Sequence, residues 1–508
     1  MTEKHMIYRP EWTCGRYDEK NKVAIYYNLI EGMAYFFEDE SAFVIGEILH
    51  LGRNGCISIG LLSKNTRLSE DNLSPFLEEL KHLNLITSFL PSHKTITMYR
   101  RDLFANKSII KLDDVPNRES LPIAKNTAEM EYSDRTKSIG GIMIELTYNC
   151  SEKCIHCYNI GATRNDSERS YRDVGNNLSL EEYKRIIDEF YVEGLYKVCL
   201  TGGDPFVNPF IWDIIDYLYQ KDIAFDIYTN GLVLEGKIDK LLNYYPRLIS
   251  ISLYSNDSEV HDYITRVNGS WKKTMKVIDD LSRKMMPMTL KCCVMRPNLK
   301  TYRGVAQIGR DYGIPVQFEL NITDSLEGDK CASRHLRLTE EQLEVVLCDL
   351  ETPMYVGKEV DNFGAVKRNL EQNGCSAGLD TFNITPDGKL IPCCAFHLEL
   401  GNLHTERVKE ILNHSDILKW WRDLKLKSFE ECGRKDYCDF CNLCPGNNYS
   451  EHGTPIKCSE NNMYIAKARY NLMQKKMQGI NPLGEKELNE RLSDFPEYKR
   501  EKLKREMK

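Results

Sequence analysis

Two absences set the class of this chain. No uninterrupted apolar run approaches the roughly 18 residues a membrane-spanning helix needs, and the opening MTEKHMIYRPEW has no apolar core of a secretion signal. A cytoplasmic protein with no membrane partner is expected. Positive charge is not in excess either: the formal net charge is -7, which argues against nucleic acid as the main partner. Cysteine, by contrast, is plentiful, with 18 in 508 residues. A reducing cytoplasm excludes a disulfide framework, so metal binding is the better reading of so many thiols. A third absence is local. In ELTYNCSEKCIHCYNIGAT, residues 145–163, three cysteines fall as Cys150-x3-Cys154-x2-Cys157 with no fourth in reach. Four ligands would complete a tetrahedral zinc or an iron-sulfur shell, so three predict a centre with one position open.

Residues 1–100 read as a small α+β unit. Two β-rich runs, Val23 to Ile30 and Met33 to Phe37, join through Glu31-Gly32; a helix follows from about Ala42, capped by Ser41. A later helix carries the stripe Leu73, Phe76, Leu77, Leu80, Leu83, and KTITMYR reads as a further strand. Residues 101–138 are polar and weakly patterned, a linker. From Ile139 the rhythm becomes strand, loop, helix: IGGIMIEL, YKVCLTGGDP, IAFDIYTNG, LISISLYS, LKCCVM and IPVQFELN are strands, and Ser179 with Glu182 caps the first helix, which Gly194 stops. Alternating strands and helices predict parallel pairing in a barrel or an open sheet, with chemistry at the C-terminal strand ends.

Four signals fall on that rim. Cys150, Cys154 and Cys157 follow the first strand, Gly202-Gly203-Asp204 the second and Thr229-Asn230-Gly231 the third, while Ser252 ends the fourth. Gly202 and Gly203 permit close backbone approach, Asp204 can accept from an ammonium group, Asn230 and Ser252 can bond a ribose, and Arg266 can pair with a carboxylate. Taken singly, each has a plainer reading: part of a zinc site, a common turn, a hairpin turn, surface polarity. Cys14, Cys56, Cys199, Cys331 and Cys348 are scattered and read as small buried hydrophobes.

In this order, CxxxCxxC, Gly-Gly-Asp-Pro, Thr-Asn-Gly and the strand-end Ser resemble the radical S-adenosylmethionine enzymes. The resemblance implies a partial (β/α)6 TIM-like barrel, over residues 139–350, in which the three thiolates hold a 4Fe-4S cluster whose open iron binds S-adenosyl-L-methionine. One electron, from an external flavodoxin- or ferredoxin-like donor, then cleaves the cofactor to a 5'-deoxyadenosyl radical that abstracts hydrogen from a substrate. By analogy His156 lies near the adenine. Asp204 stands where the family more often has Glu, a shorter carboxylate in the same place.

The C-terminal third repeats the emphasis on thiols. Cys375 through Gly388 to Cys393 is similar to the opening of the SPASM extension of that family, here taken as residues 351–465. Cys432-x5-Cys438-x2-Cys441-x2-Cys444 and Cys458 depart from the usual spacing. Grouped by order, Cys375, Cys393 and Cys444 hold a first auxiliary 4Fe-4S cluster, completed by Cys394, a substrate thiol or another group, and Cys432, Cys438, Cys441 and Cys458 hold a second. A pair of zinc ribbons is the alternative. Residues 466–508 read as a charged helical tail.

The N-terminal unit resembles the winged-helix-like recognition element of enzymes that mature ribosomally made peptides, which implies that a precursor's leader adds as a strand to an exposed sheet edge. A helix-turn-helix nucleic-acid binder is disfavoured because EDNLSPFLEELKHLNL is acidic. The whole chain is therefore expected to be a maturase that crosslinks a precursor peptide through a thioether, C-C or C-O bond. Epimerisation with Cys292 or Cys293 as hydrogen donor, formylglycine-type oxidation, and a non-catalytic iron-sulfur or zinc peptide-binding scaffold are the alternatives. The motifs nominate cofactor and metal ligands and assign no catalytic acid or base.

Overall fold

Why the N-terminal unit cannot stand apart from the rest is written in its middle strand. In the computed structural model, which describes residues 6–109, 127–159, 176–325, 334–349, 369–479 and 483–498, strands β2 (Thr13–Asp18), β3 (Val23–Asn28) and β4 (Met33–Glu38) form an antiparallel meander, following a short β1 (Met6–Tyr8). Every residue of β3 is buried. Alternation sends Ala24 and Tyr26 to helix α1 (Asp39–His50) and Val23, Ile25 and Tyr27 to the second domain, where they meet Tyr196, Ala224 and Tyr245. Gly32, at φ +71°, turns the hairpin where a side chain would crowd the carbonyl of Arg247. Helix α1 starts earlier than the capping Ser41 suggested. It opens on Asp39 and Glu40 without a side-chain cap, the acids suiting the positive end of the helix, and Ser41 donates back to the carbonyl of Glu38. Strand β5 (Cys56–Ser58) pairs with β1; helices α2 (Ile59–Thr66) and α3 (Glu70–His82) complete the unit, with Leu73, Leu77 and Leu80 buried.

Two expectations fail next. KTITMYR is not a strand but belongs to helix α4 (His93–Ile109), in which Ile96, Tyr99 and Arg100 point inward at helical spacing. The stretch read as a linker contains helix α5 (Thr127–Thr136), which packs on β3 and β4 through Ala128 and Tyr132. Two apolar residues are too sparse a stripe to show in a charged run. Cys331, the boundary expected near residue 351 and the last residues of the tail lie outside the described residues.

The second domain matches the expected partial barrel. Strands β6 (Gly141–Glu145), β7 (Lys197–Thr201), β8 (Ala224–Thr229), β9 (Leu248–Ser252), β10 (Met288–Cys293) and β11 (Val316–Glu319) are parallel and neighbours in sequence order. Helices α6 (Leu180–Val192), α7 (Ile211–Gln220), α8 (Ile238–Leu242), α9 (Ser258–Thr265), α10 (Ser270–Arg283) and α11 (Tyr302–Tyr312) connect them. Ser179 and Glu182 form the capping box of α6. Ile142, Ile144, Val198, Leu200, Ile249, Ile251, Leu290 and Cys292 face the helices in one continuous core, so the alternate residues face the lumen.

The C-terminal unit continues this sheet. Strand β12 (Thr381–Ile384) lies parallel to β6, and β13 (Lys389–Ile391) and β14 (Gly401–Asn402) extend it antiparallel to nine strands. The expected 465/466 boundary falls inside one helix, Glu460–Met477, whose Ile465, Ala466, Ala468, Arg469 and Leu472 are buried; this part of the tail is core, not a solvated face. No helix among the described residues is long and apolar enough to cross a membrane. Tyr132 has no exposed surface and stacks edge-on against Tyr196 at 5.4 Å between the first two domains. Tyr132→Ala is expected to cost about 3–5 kcal/mol, read as a lower urea midpoint together with faster proteolysis of the N-terminal unit.

Candidate active site

The rim is assembled by backbone closure of one strand-end loop on another. After β6, Leu146 N–H donates to Thr201 O, and the β7 loop answers: Gly203 N–H to Thr147 O at 2.6 Å and Asp204 N–H to Asn149 O at 3.0 Å. A side chain at Gly202, φ +133°, would place its Cβ 2.4 Å from Thr147 O, and one at Gly203 would lie 2.2 Å from Asn149 O. Here the two glycines therefore serve the approach of protein backbone to the cysteine loop. Asp204 is wholly buried. Its Oδ1 accepts from Phe206 N–H at 3.0 Å, and its Oδ2 from the Thr229 hydroxyl at 2.7 Å and Asn230 N–H at 3.0 Å, so it ties the β7 loop to the β8 loop. Asn230 passes the constraint on, donating to Cys150 Sγ at 3.3 Å and Ser151 Oγ at 3.0 Å. On the far side, Lys153 and Ile155 N–H groups bond the last carbonyls of α9, Thr265 and Ile264, both at 2.9 Å.

Cys150, Cys154 and Cys157 are thus gathered on one pinned loop. Burial, then the nearby Asp204, pushes the Cys150 thiol up; burial, then Glu152, does the same to Cys154. Glu152 itself is raised by burial to about 8. Cys150 and Cys154 beside these carboxylates would hold their protons unless a cation joined them. Iron would supply that charge, and three soft donors with a fourth position open suit an iron-sulfur cluster. Among the described residues, Glu152 Oε1, His156 Nδ1 and Asn159 Oδ1 are buried on this loop without a hydrogen-bond partner. His156, lowered to about 4 by burial, meets Tyr254 edge-on at 4.7 Å. Ser252 bonds the same Tyr254, whose hydroxyl lies 4.0 Å from Cys154 Sγ. Arg266 is exposed at the left-handed C-cap of α9, next to the carbonyls that hold the loop. Sequence reasoning missed Tyr254, although its place just past β9 was a usable signal.

The C-terminal cysteines fall into two places. Cys432, Cys438, Cys441 and Cys458 line one cavity with Tyr437, Leu443 and Met463. Cys393 lies within electrostatic reach of Cys375, Cys444 and Cys394. The side chain of Cys394, close to Cys393 and Cys444, is also hydrogen-bonded to the hydroxyl of Tyr158 and near Glu145, while Cys199 and Tyr228 sense it from the barrel wall. The residue after Cys157 is therefore joined to the residue after Cys393, and Cys394 itself faces the barrel wall. Of the expected hydrogen donors, Cys292 is packed among the helices and held by Asn298 Nδ2 at 3.8 Å; Cys293 is on the lumen face. No group of three or more His, Cys, Asp or Glu closes on a single metal ion among the described residues.

Glu145, at the end of β6, is 1% exposed and accepts from Asn383 Nδ2 of β12 at 3.3 Å. Burial raises it from 4.5 to about 8. The folded state holds this proton more tightly than the unfolded state, so the stability it brings is full below pH 4.5 and is lost as pH rises towards 8. In Glu145→Gln, the fall of the urea midpoint between pH 5 and 8 should be shallower than in the parent; identical slopes would place the proton elsewhere.

Comparisons with known proteins agree with this geometry. Residues 144–302 match the radical SAM superfamily and residues 375–445 match SPASM, an iron-sulfur cluster-binding domain. The chain is 28% identical over 356 residues to the antilisterial bacteriocin subtilosin biosynthesis protein AlbA of Bacillus subtilis, covering 68% of this chain and 73% of that one. It is 22% identical over 341 residues to the AdoMet-dependent heme synthase of Methanosarcina barkeri, covering 61% and 92%. The crystal structure of Streptococcus suis SuiB bound to precursor peptide SuiA shares the fold, with TM-score 0.51, 13% identity, and coverage of 89% of this chain and 99% of that one. Four-iron clusters and S-adenosylmethionine are the cofactors of such domains, and the chain carries a radical SAM domain followed by an SPASM iron-sulfur cluster-binding domain.

Proposed function

We propose that this enzyme matures a ribosomally made precursor peptide, abstracting hydrogen from one residue and forming an intramolecular crosslink: a thioether, C-C or C-O bond. The observation that carries the reading is the contact of Tyr158 with Cys394, which joins the cysteine loop to the C-terminal cysteines, so that a residue lying in the lumen beside it would have radical chemistry on one side and an electron acceptor on the other. Cys150, Cys154 and Cys157 would hold the cofactor-binding cluster. Cys375, Cys393 and Cys444 would hold a first auxiliary cluster, and Cys432, Cys438, Cys441 and Cys458 a second. Bound S-adenosylmethionine would supply the hydrogen-abstracting radical. Asp204 and Asn230 hold the loop that would present it, His156 and Tyr254 would stand beside its adenine, and the two glycines let the β7 loop lie against the backbone of the cysteine loop. Similarity to a bacteriocin biosynthesis protein supports a peptide substrate.

The N-terminal unit would bind the leader. Strand β4 pairs with β3 on one side only, and beside it Phe36, Phe37, Glu38 and Ser41, with Glu131, Asp134 and Arg135 of α5, line an open cavity; Phe37 packs edge-on to Phe76 of α3 at 5.9 Å. A peptide adding along β4 would gain main-chain bonds there, apolar side chains on the two rings and acidic neighbours for basic ones. The heme synthase likeness favours a small-molecule substrate instead, but it leaves more than a third of this chain unmatched.

Co-expression with a precursor encoded by a short reading frame, sought beside the gene, should yield a peptide lighter by two hydrogens per crosslink. An unchanged mass would reject crosslinking, and an unchanged mass with a deuterium gained in D2O would support epimerisation. Anaerobically purified protein should carry on the order of twelve irons, and Cys438→Ala on the order of eight; colourless, zinc-loaded protein would reject the assignment. Phe37→Ala should weaken precursor binding about tenfold while peptide-free cofactor cleavage persists.

A further inference from the structure

Among the described residues, one lumen-facing ammonium is hydrogen-bonded to neutral groups alone. Lys291 lies on β10 in register with Ser252 of β9 and Gln317 of β11, on the face opposite Leu290 and Cys292. Its partly buried ammonium donates to the Tyr228 hydroxyl at 3.2 Å and to Gln317 Oε1 at 2.9 Å, and it lies 4.3 Å from the centre of the Tyr228 ring. Both partners are neutral. The carboxylates that act on it from further away face other groups: Asp226 Oδ2 pairs with Arg247 while its Oδ1 is buried without a partner, and Glu319 Oε1 accepts from the backbone N–H groups of Leu320 and Asn321. Among the described residues, none is close enough to Lys291 for an ion pair. Burial accordingly lowers its pKa.

An ammonium that has given up part of its water for neutral donors' partners alone is under-compensated, and an arriving anion gains what the fold leaves unmet. The setting narrows the anion. Tyr228 and Gln317 fix the ammonium from two strands, and Cys199 and Cys394 stand nearby on the wall that faces the first auxiliary cysteine group. The neighbouring Ser252 belongs to the rim. A group bound here would lie in the lumen near Cys394, which Tyr158 joins to the cysteine loop. A carboxylate fits best, because one ammonium donor and a tyrosine hydroxyl can share its two oxygens.

We propose that Lys291 anchors a carboxylate of the peptide substrate in the barrel lumen, either an Asp or Glu side chain or the C-terminal carboxylate. The inference rests on the peptide-maturase reading and adds a chemical requirement to it: the segment that enters the lumen is acidic. The methionyl carboxylate of S-adenosylmethionine is the other source of the same chemistry, and the experiment separates the two.

The probe is the co-encoded precursor, with each Asp or Glu changed singly to Asn or Gln and its C-terminus amidated in turn, assayed with the full-length parent enzyme, Lys291→Met, Lys291→Arg and Lys291→Glu. Lys291→Met should raise the peptide KM roughly tenfold or more with a smaller change in kcat, and Lys291→Arg should keep most of the affinity. One precursor substitution should reproduce that loss in the parent and add nothing in Lys291→Met. The precursor with Lys at that position should be rescued by Lys291→Glu. Additive losses at every precursor position would overturn the proposal; so would Lys291→Met raising the KM for S-adenosylmethionine while leaving the peptide KM unchanged. A parent enzyme that modifies no precursor would overturn the maturase reading itself, and is recognised by the absence of product before any variant is made.

Discussion

A carboxylate with no exposed surface is tolerable only when donors replace the water it has lost, and Asp204 has three of them. Burial still raises its pKa, so each of those donors matters. Through them the ends of β7 and β8 become one unit; through Asn230 that unit reaches Cys150; through Gly202 and Gly203 it lies flat on the backbone that enters the cysteine loop. The loop is thereby held on the barrel side by the strand ends and on the outer side by the last carbonyls of α9. The loop that carries the three thiols is thus kept in place by bonds made mostly to backbone, while Cys150 and Cys154 resist ionisation until a cation joins them.

The second constraint is sheet continuity. Because β12 pairs with β6 in parallel, from Thr381 with Gly141 to Ile384 with Ile144, the C-terminal unit is an added edge of the barrel. The buried Glu145–Asn383 pair sits at that seam. Continuing from β12 through β13 the chain arrives at Cys393 and Cys394 beside the lumen, which is why Tyr158 can reach Cys394. The relation between the two cysteine groups is therefore set by strand pairing, a more rigid device than a loop.

How much of this was legible beforehand follows from the physics of each element. The barrel was, because buried parallel strands leave apolar runs and their connecting helices leave caps and stripes, as at Ser179 and Glu182. The cysteine loop stood out by residue type. Grouping by order and the cavity at Cys432 draw the same four cysteines together. What could not be read were contacts made by single residues from distant segments. Ala128 and Tyr132 are the buried apolar residues of α5, and its other anchors are polar, such as Glu129 with Tyr27 and Lys197, so its charged surroundings hid it. The alternation of KTITMYR imitated a strand, whereas Ile96 and Arg100, four apart, are what the tertiary packing selected. Asp204 was legible as a rim carboxylate, but that its oxygens face protein donors depended on loops 25 residues apart meeting. Lys291 looked like one more lysine until Tyr228 and Gln317 were seen to flank it.

The position of the N-terminal unit bears on how a peptide could be handled. Its contacts with the barrel are made at Tyr196, Ala224, Tyr245 and Arg247, which sit where β7, β8 and β9 begin, whereas the cysteine loop lies where the strands end. A leader bound at β4, as proposed, and chemistry at the rim would thus lie at opposite ends of the barrel. A five-residue strand rises about 16 Å, and an extended peptide covers about 3.3 Å per residue. A precursor held at β4 therefore needs a spacer of more than about five residues merely to match the height of the barrel, and more to pass around its wall, before its acidic segment could meet Lys291. This separation suits an enzyme that grips a constant leader at one end while leaving the modified segment free to enter the lumen from the other.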